Sequence, residues 1–413
     1  MDRREQINCT FMKELWLFTR QFPTGSGEVF LENAVPIWSK QFERVRVFPM
    51  FTGEGSSALV HPAKEERLFS DPFGTPSWAA TLVDLPLMFR ILRARGPGHS
   101  ITSAGPFAVV SRTRQLMQRY RSLERLIRNE YDPARVMILS AWMEDWVTLF
   151  GLLKANGSPL RFSTLAHRTD LFGPAGSGAA VEFRSFRMQH CDRILCIAQN
   201  GRDELQRWYP QHAHKLDLVR LGTPDHGIAP WSPAEELRIV SCSYLNPRKR
   251  VELIAEALIR VRRPVHWTHF GDGPQRAAIE ALVGRMPPNV RLDLRGETTN
   301  AELLGAYATT PFDLFVHLSA HEGLPVVLME AASFGIPLLA TDVGGVREIV
   351  DHTTGHLLPA TVTAIEVAKW LDQVEHYRIL DPTFRSGVRQ AWRERFEATT
   401  NYVRMARLVE GMG

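Results

Sequence analysis

Short apolar runs alternate with amphipathic helical patterns along most of this chain. Six runs lie in the first half, at 14–19, 45–48, 136–139, 161–165, 193–197 and 215–219; five lie in the second, at 238–242, 265–270, 290–294, 313–318 and 337–340. Runs this short and apolar suit strands buried on both faces, and strands separated by helices pair in parallel because each helix must cross back over the sheet. The pattern predicts an α/β chain built from doubly wound parallel sheets. Residues 221–233, rich in Pro and Gly and without periodicity, read as a linker. The 413 residues therefore divide into a first domain over 1–222, a second over 236–380, and a last amphipathic helix within 381–413, from Pro382 to about Val409. A helical insertion is expected at about 55–130 of the first domain.

Composition narrows the function classes. With 44% hydrophobic and 23% charged residues the chain is of ordinary globular type. No window approaches 18 uninterrupted apolar residues, and the start, Met1-Asp-Arg-Arg-Glu-Gln6, does not lead into a signal peptide, so a cytoplasmic chain is expected. Its four cysteines, at 9, 191, 196 and 242, lack metal spacing and read as packing residues. The net charge of +4 is unevenly placed: between Pro86 and Arg128, nine arginines face one acid, Glu124, with Leu87, Phe89, Ile91, Leu92, Leu116, Met117, Leu123 and Leu126 interleaved. Such a segment is either a solvated basic face or a peripheral contact with the inner face of a membrane. No recognition motif accompanies it, which argues against nucleic acid.

The most informative segment runs from Asp313 to Gly345. A buried strand at 313–318 is followed by a tight turn at Glu322-Gly323-Leu324, then by a helix over 325–334 with Pro325 in its first turn and Gly335 and Pro337 stopping it. Such a helix turns free N–H groups and the positive end of its dipole toward the carboxyl end of the strand, a place suited to phosphate. Glu322 and Glu330 flank it. Eight helical steps would offset them by about 12 Å of rise and about 80° of rotation, so they would grip two parts of one elongated ligand. A carboxylate facing a diol accepts charge-assisted hydrogen bonds, and a nucleotide sugar offers diols at both ends.

Glu322 to Glu330, continued through Asp342-Val-Gly-Gly345 to Asp351, resembles the E-x7-E signature of retaining glycosyltransferases of family 4. Pro247-Arg-Lys249-Arg250, Phe270-Gly-Asp-Gly-Pro274 and Asp313-Leu-Phe-Val-His-Leu-Ser319 follow in the expected order. In the first half, Gly25-Ser-Gly-Glu-Val-Phe-Leu-Glu-Asn33 and Leu165-Ala-His-Arg-Thr-Asp170 resemble bacterial polysaccharide members. The resemblance implies the GT-B fold: two Rossmann-like doubly wound domains facing a central cleft, with the C-terminal helix crossing back to the first domain.

It also implies roles. Lys249 would hold the donor's phosphates, Glu322 would contact hydroxyls of the donor sugar, and Glu330 the ribose diol. The backbone around Gly323, Leu324, Pro325 and Val326 would hold the distal phosphate. Gly271 and Gly273 would let the chain approach the donor, and Glu297 would border the base. His167 would lie near the transferred sugar, with Gly25, Gly27 and Asp170 as an acceptor or phosphate loop. The family often has an arginine where this chain has Tyr244; Arg250, or Arg248, stands near enough to replace it.

The sequence contains no Asp-x-Asp, so protein cations rather than a metal are expected at the diphosphate, and no cofactor besides the donor. It has no nucleophile elbow and no P-loop. The expectation is a retaining, metal-independent glycosyltransferase with a front-face mechanism. It would use a nucleotide sugar (UDP-, GDP- or other) and a glycan or lipid-linked acceptor. A catalytically silent nucleotide-sugar-binding subunit and a GT-B nucleotide-sugar epimerase are the alternatives.

Overall fold

The structure is a computed structural model that describes residues 13–23, 28–51, 85–94, 101–172 and 181–411. Twelve strands are found among them. The first six are β1 (Glu14–Thr19), β2 (Arg44–Pro49), β3 (Val136–Ser140), β4 (Ser163–Ala166), β5 (Arg193–Cys196) and β6 (Leu216–Leu218). They form one sheet in the order β2-β1-β3-β4-β5-β6, and every pairing is parallel. The other six are β7 (Leu237–Cys242), β8 (Val265–Phe270), β9 (Val290–Leu294), β10 (Leu314–His317), β11 (Leu338–Thr341) and β12 (Gly355–Leu358). Their sheet, also wholly parallel, has the order β12-β11-β10-β7-β8-β9.

Parallel sheets need cover on both faces, and the strands show it: all of β3, β4, β10 and β11 is buried. Contacts divide the chain into a first unit, residues 1–219 with 401–413, and a second, residues 220–400. The core of the first unit gathers Trp16, Phe18, Trp146, Phe150 and Phe162 with Leu87, Ile91 and Leu123 from the helices Leu85–Ala94 and Ile101–Glu130. The second packs Trp267, Leu314 and Val316 against Ile254, Leu258 and Leu371.

In an open parallel sheet, ligands bind beyond the carboxyl ends of the strands at the point where strand order reverses. That point lies between β1 and β3 in the first sheet and between β7 and β10 in the second. The loops following β7 and β10 are the ones that carry Lys249 and Glu322.

Three expectations need correction. The strand β12 was not foreseen, because Gly-His-Leu-Leu is brief, starts with glycine and has no β-branched residue; Gly355 is required there, since a Cβ would sit 1.8 Å from the Leu338 carbonyl oxygen of β11. The expected single C-terminal helix is two, Pro382–Phe396 and Ala398–Glu410. Glu397 separates them in an extended conformation: Thr223 N–H donates to the Phe396 carbonyl, Ala398 N–H to the Thr223 carbonyl, and the Glu397 carboxylate accepts from the N–H groups of Thr399 and Thr400. Apolar periodicity continues through the break, so the pattern conceals it. The stretch 221–233 is no free linker either, since Ala229 N–H donates to the Phe334 carbonyl and the Trp231 indole to Asp313.

Beyond the break, the last helix is fixed within the first unit. The Trp38 indole donates to the Tyr402 carbonyl at 3.1 Å, the Tyr402 hydroxyl to the Phe30 carbonyl, and Arg193 to the Leu408 carbonyl.

Candidate functional site

The loop following β10 bends at Gly323-Leu324 and enters the helix Val326–Ser333. Pro325 is the N-cap residue, not a first-turn residue, and Gly335 at φ +72° stops the helix as expected. Glu322 thus precedes the helix, and the rise computed from eight helical steps does not apply to the glutamate pair. Among the described residues, the N–H groups of Gly323, Leu324 and Val326 donate to no acceptor, as expected of an uncapped helix start. The turn is clamped from the loop following β11, where Gly345 N–H donates to the Gly323 carbonyl and Gly344 presses on the Glu322 backbone.

Glu322 is nine-tenths buried and ion-paired, its Oε1 lying 2.7 Å from Lys249 Nζ and 2.9 Å from His317 Nε2. Burial alone would push this carboxyl up, but the His317 hydrogen bond and charge, with those of Lys249, outweigh it and hold the group well below the usual carboxylate range. Lys249 does not start a helix; it sits in a turn before Val251–Leu258, its N–H bonded to the Asn246 carbonyl. That turn is tied to the loop following β10 by the Ala320 N–H, which donates to the Arg248 carbonyl at 2.8 Å.

Arg250 has a different task. Its guanidinium donates to the carbonyls of Leu318 and Ser319, in the loop following β10, and of Ala360. Arg250 at φ +48° thereby braces the backbone under Glu322, whereas Arg248 is exposed, as is Tyr244.

Glu330 is buried on the helix and accepts from Asn300 Nδ2 at 2.8 Å. The Cys242 thiol, last in β7, is pushed up to about 12 by burial, then by the Glu330 charge, with Lys249 opposing. Both charges therefore bear on the carboxyl end of β7.

Gly271 and Gly273 follow β8 with φ +126° and +153°, and a Cβ on either would strike the backbone of Ser243 or Leu245. These glycines let the loops following β7 and β8 interlock: Leu245 N–H donates to the Asp272 carbonyl and Gln275 N–H to the Leu245 carbonyl. Glu297 is exposed just beyond β9.

In the first unit, the stretch holding Gly25 and Gly27 lies outside the described residues. His167 follows β4; its ring, 4.2 Å from that of Trp142, has Nε2 3.0 Å from the Ala141 carbonyl, and burial pulls it down to about 3. The ring is therefore neutral near pH 7. Asp170 is buried and accepts from the N–H groups of His167 and Met143, joining the loops that follow β3 and β4; burial, then the Glu144 charge, pushes it up to about 7. It holds backbone in place rather than facing outward as a loop carboxylate would.

Three residues of these sites do not stand out in the sequence. In the sequence His317 reads only as part of a strand, although a histidine ending a buried run five residues before a glutamate is an available signal. Asn300 begins the helix Asn300–Thr309, and the Thr299…Glu302 capping box that fixes this start was legible. Glu28 is buried and accepts from the N–H groups of Arg20, Gln21 and Phe22 and from the Trp142 indole, so it organises the switch point of the first sheet. Nothing local distinguishes it from an ordinary helix-start glutamate.

The family described as glycosyl transferases group 1 matches residues 236–374, the body of the second unit. The chain carries a glycosyl transferases group 1 domain. A GDP-mannose-dependent alpha-mannosyltransferase of Mycobacterium tuberculosis is 34% identical over 213 residues, 47% of this chain and 52% of that protein. An N-acetyl-alpha-D-glucosaminyl L-malate synthase of Bacillus anthracis is 30% identical over 186 residues, 43% and 46% of the two chains. The chain thus spans about half the length of the curated relatives it matches.

Among solved structures, Anabaena Alr3699/HepE in complex with UDP superposes with a TM-score of 0.64 at 16% identity, over 97% of this chain and 100% of that one. Sucrose-phosphate synthase from Thermosynechococcus elongatus gives 0.68 at 15% identity, over 97% and 99%. The fold is GT-B.

Proposed function

We propose that this protein is a retaining glycosyltransferase that moves a sugar from a nucleotide-sugar donor to a saccharide or lipid-linked acceptor without a metal ion. The observation that carries the reading is the juxtaposition, at the switch point of the group 1 domain, of an ionised Glu322, the Lys249 ammonium bonded to it, and a helix start with free N–H groups. The matched relative named as a GDP-mannose-dependent alpha-mannosyltransferase supports it.

In this reading the helix start and Lys249 hold the diphosphate, Glu322 accepts from hydroxyls of the donor sugar, and Glu330, steadied by Asn300, accepts from the ribose diol. The bond between the sugar's anomeric carbon and the phosphate oxygen breaks as the acceptor oxygen bonds to the same face of that carbon. The acceptor's proton passes to the leaving phosphate oxygen, so no enzymic nucleophile is needed. Lys249 stabilises the charge that develops there, a contribution worth about 3 kcal/mol for a single oxyanion donor.

Thermal-shift titration with UDP-glucose, UDP-N-acetylglucosamine and GDP-mannose tests it, because a ligand of the native state raises Tm by mass action. At least one should raise Tm and be slowly hydrolysed in the presence of EDTA, with turnover down by about two orders of magnitude in Lys249→Ala. No shift with any of the three overturns the reading. A shift without turnover would mark a silent binding subunit, and isomerisation of the donor to another intact nucleotide sugar without acceptor an epimerase.

A separate surface favours a lipid-linked acceptor. On the helix Leu85–Ala94, Leu87, Ile91 and Ala94 are buried while Phe89, 64% exposed, Leu92, Arg90 and Arg93 face outward. Arg90 and Arg121 both bear on the Tyr120 hydroxyl, so they share one patch, and Arg121, Arg125 and Arg128 form an exposed stripe along the helix Ile101–Glu130. Basic residues beside exposed apolar ones suit an anionic lipid surface. Among the described residues no helix is long and apolar enough to cross a membrane.

A further inference from the structure

Lys249 is asked to do two things at once. Its ammonium lies 2.7 Å from Glu322 Oε1, and the proposed chemistry also draws it toward a diphosphate. A lysine sharing its donors with phosphate shields Glu322 less, and a carboxylate nine-tenths buried cannot stand uncompensated without taking up a proton or moving. A second group already occupies the other side of that oxygen.

His317, the last residue of β10, is buried and fixed by its strand. Its Nε2 is 2.9 Å from Glu322 Oε1 and 3.1 Å from Ser319 Oγ. An ionised carboxylate only accepts, so Nε2 must carry the hydrogen and donate it. Ser319 is held in turn, its carbonyl accepting from the Thr341 hydroxyl at 2.6 Å and from Arg250. Lys249 and His317 both bond to Oε1, and among the described residues no donor is found on Oε2.

We infer that His317 is the positioning residue of the site: its Nε2–H holds Glu322 in place, with Oε2 presented to the donor sugar, while Lys249 serves the diphosphate. The inference rests on the functional reading above and adds to it a residue that stands outside the Glu322–Glu330 pair. Among the described residues Lys249, from the loop following β7, and His317, from β10, are the charges that bear most on the Glu322 carboxyl, so losing His317 leaves Lys249 as the main group opposing burial.

The test compares His317→Leu, which keeps bulk but has no donor, with His317→Gln, which carries an N–H to about the same reach. In the full chain, with the nucleotide sugar found by thermal shift, His317→Leu should lower kcat about ten- to a hundred-fold, the range for a hydrogen bond to a charged group. Binding of bare UDP or GDP should change little. The acid limb of kcat/KM should move to higher pH, because Glu322 protonates more readily, and His317→Gln should restore most of the turnover. Equal turnover and an unmoved acid limb in His317→Leu overturn the inference. So does His317→Gln failing as badly as His317→Leu while both melt like the parent, which would mean packing alone.

Nitrogen-15 NMR of histidine-labelled protein gives a readout that needs no donor. The His317 signal, assigned by its loss in His317→Gln, should report a protonated Nε2 and shift in Glu322→Gln; a bare Nε2 refutes the inference outright. A chain that binds none of the three nucleotide sugars sinks the functional reading instead, and the NMR arm still decides whether His317 holds Glu322.

Discussion

A carboxyl can be a ligand group or a structural one, and at single residues the environment makes the choice. Glu322 is buried beside two donors that favour its ionised form, whereas Asp170 is buried beside the charge of Glu144 and pushed up to about 7. The sign of the second effect is testable. In the unfolded chain Asp170 should titrate near 4, so a folded value near 7 contributes stability that is fully present below pH 4 and lost as pH rises through 7. Tm should fall between pH 5 and pH 8, and Asp170→Asn, which cannot ionise, should remove part of that fall, by about 3 °C or more. Parallel Tm-against-pH curves for the two proteins would show that Asp170 titrates normally. Glu322 and Glu330 were legible in the sequence from spacing and turn chemistry, and Lys249 from the family resemblance. The neutral His167 was not, since its state depends on Trp142, Phe30 and the Ala141 carbonyl, all distant in the chain.

At the scale of elements, loops rather than strands decide where the site forms. Gly344 adopts φ +55°, and a Cβ there would lie 2.0 Å from the Glu322 carbonyl oxygen. Gly344→Ala should therefore cost at least about 1 kcal/mol from the left-handed backbone alone, with the steric clash in addition. Because the clash falls on Glu322 itself, nucleotide-sugar binding should weaken along with Tm. Gly284→Ala, where a Cβ meets nothing within 4 Å, is the control expected to leave both unchanged. Full binding in Gly344→Ala would show that the turn does not need this clamp. The Asp342-Val-Gly-Gly345 stretch was legible as a turn, but which backbone it would press against was not. The same limit hid the break at Glu397, which is made by Thr223, a residue 174 positions earlier in sequence.

At the scale of the whole molecule, two sheets of different strand order each place their reversal point where polar loops gather. The first has Glu28 and Trp142 there, the second Lys249 and Glu322. The basic surface belongs to this scale too, because it joins two helices of the insertion. Vesicles containing phosphatidylglycerol should co-sediment the protein, and vesicles of phosphatidylcholine alone should not. Each substitution to Ser among Arg121, Arg125 and Arg128 should weaken binding about five-fold, from about 1 kcal/mol per basic residue near an anionic surface. Equal recovery on both vesicles, or on neither, would leave the patch an ordinary solvated face.

The sequence by itself determined the parallel α/β class, the two sheets and the identity of the acid–ammonium set, because alternating apolar runs and local turn chemistry are properties of neighbouring residues. Tertiary structure alone decided that Arg250 braces carbonyls, that Asp170 turns inward, and that His317 and Asn300 stand behind the two glutamates. Those outcomes depend on which loops the sheet order brings side by side, and strand order is set by packing between residues far apart in the chain.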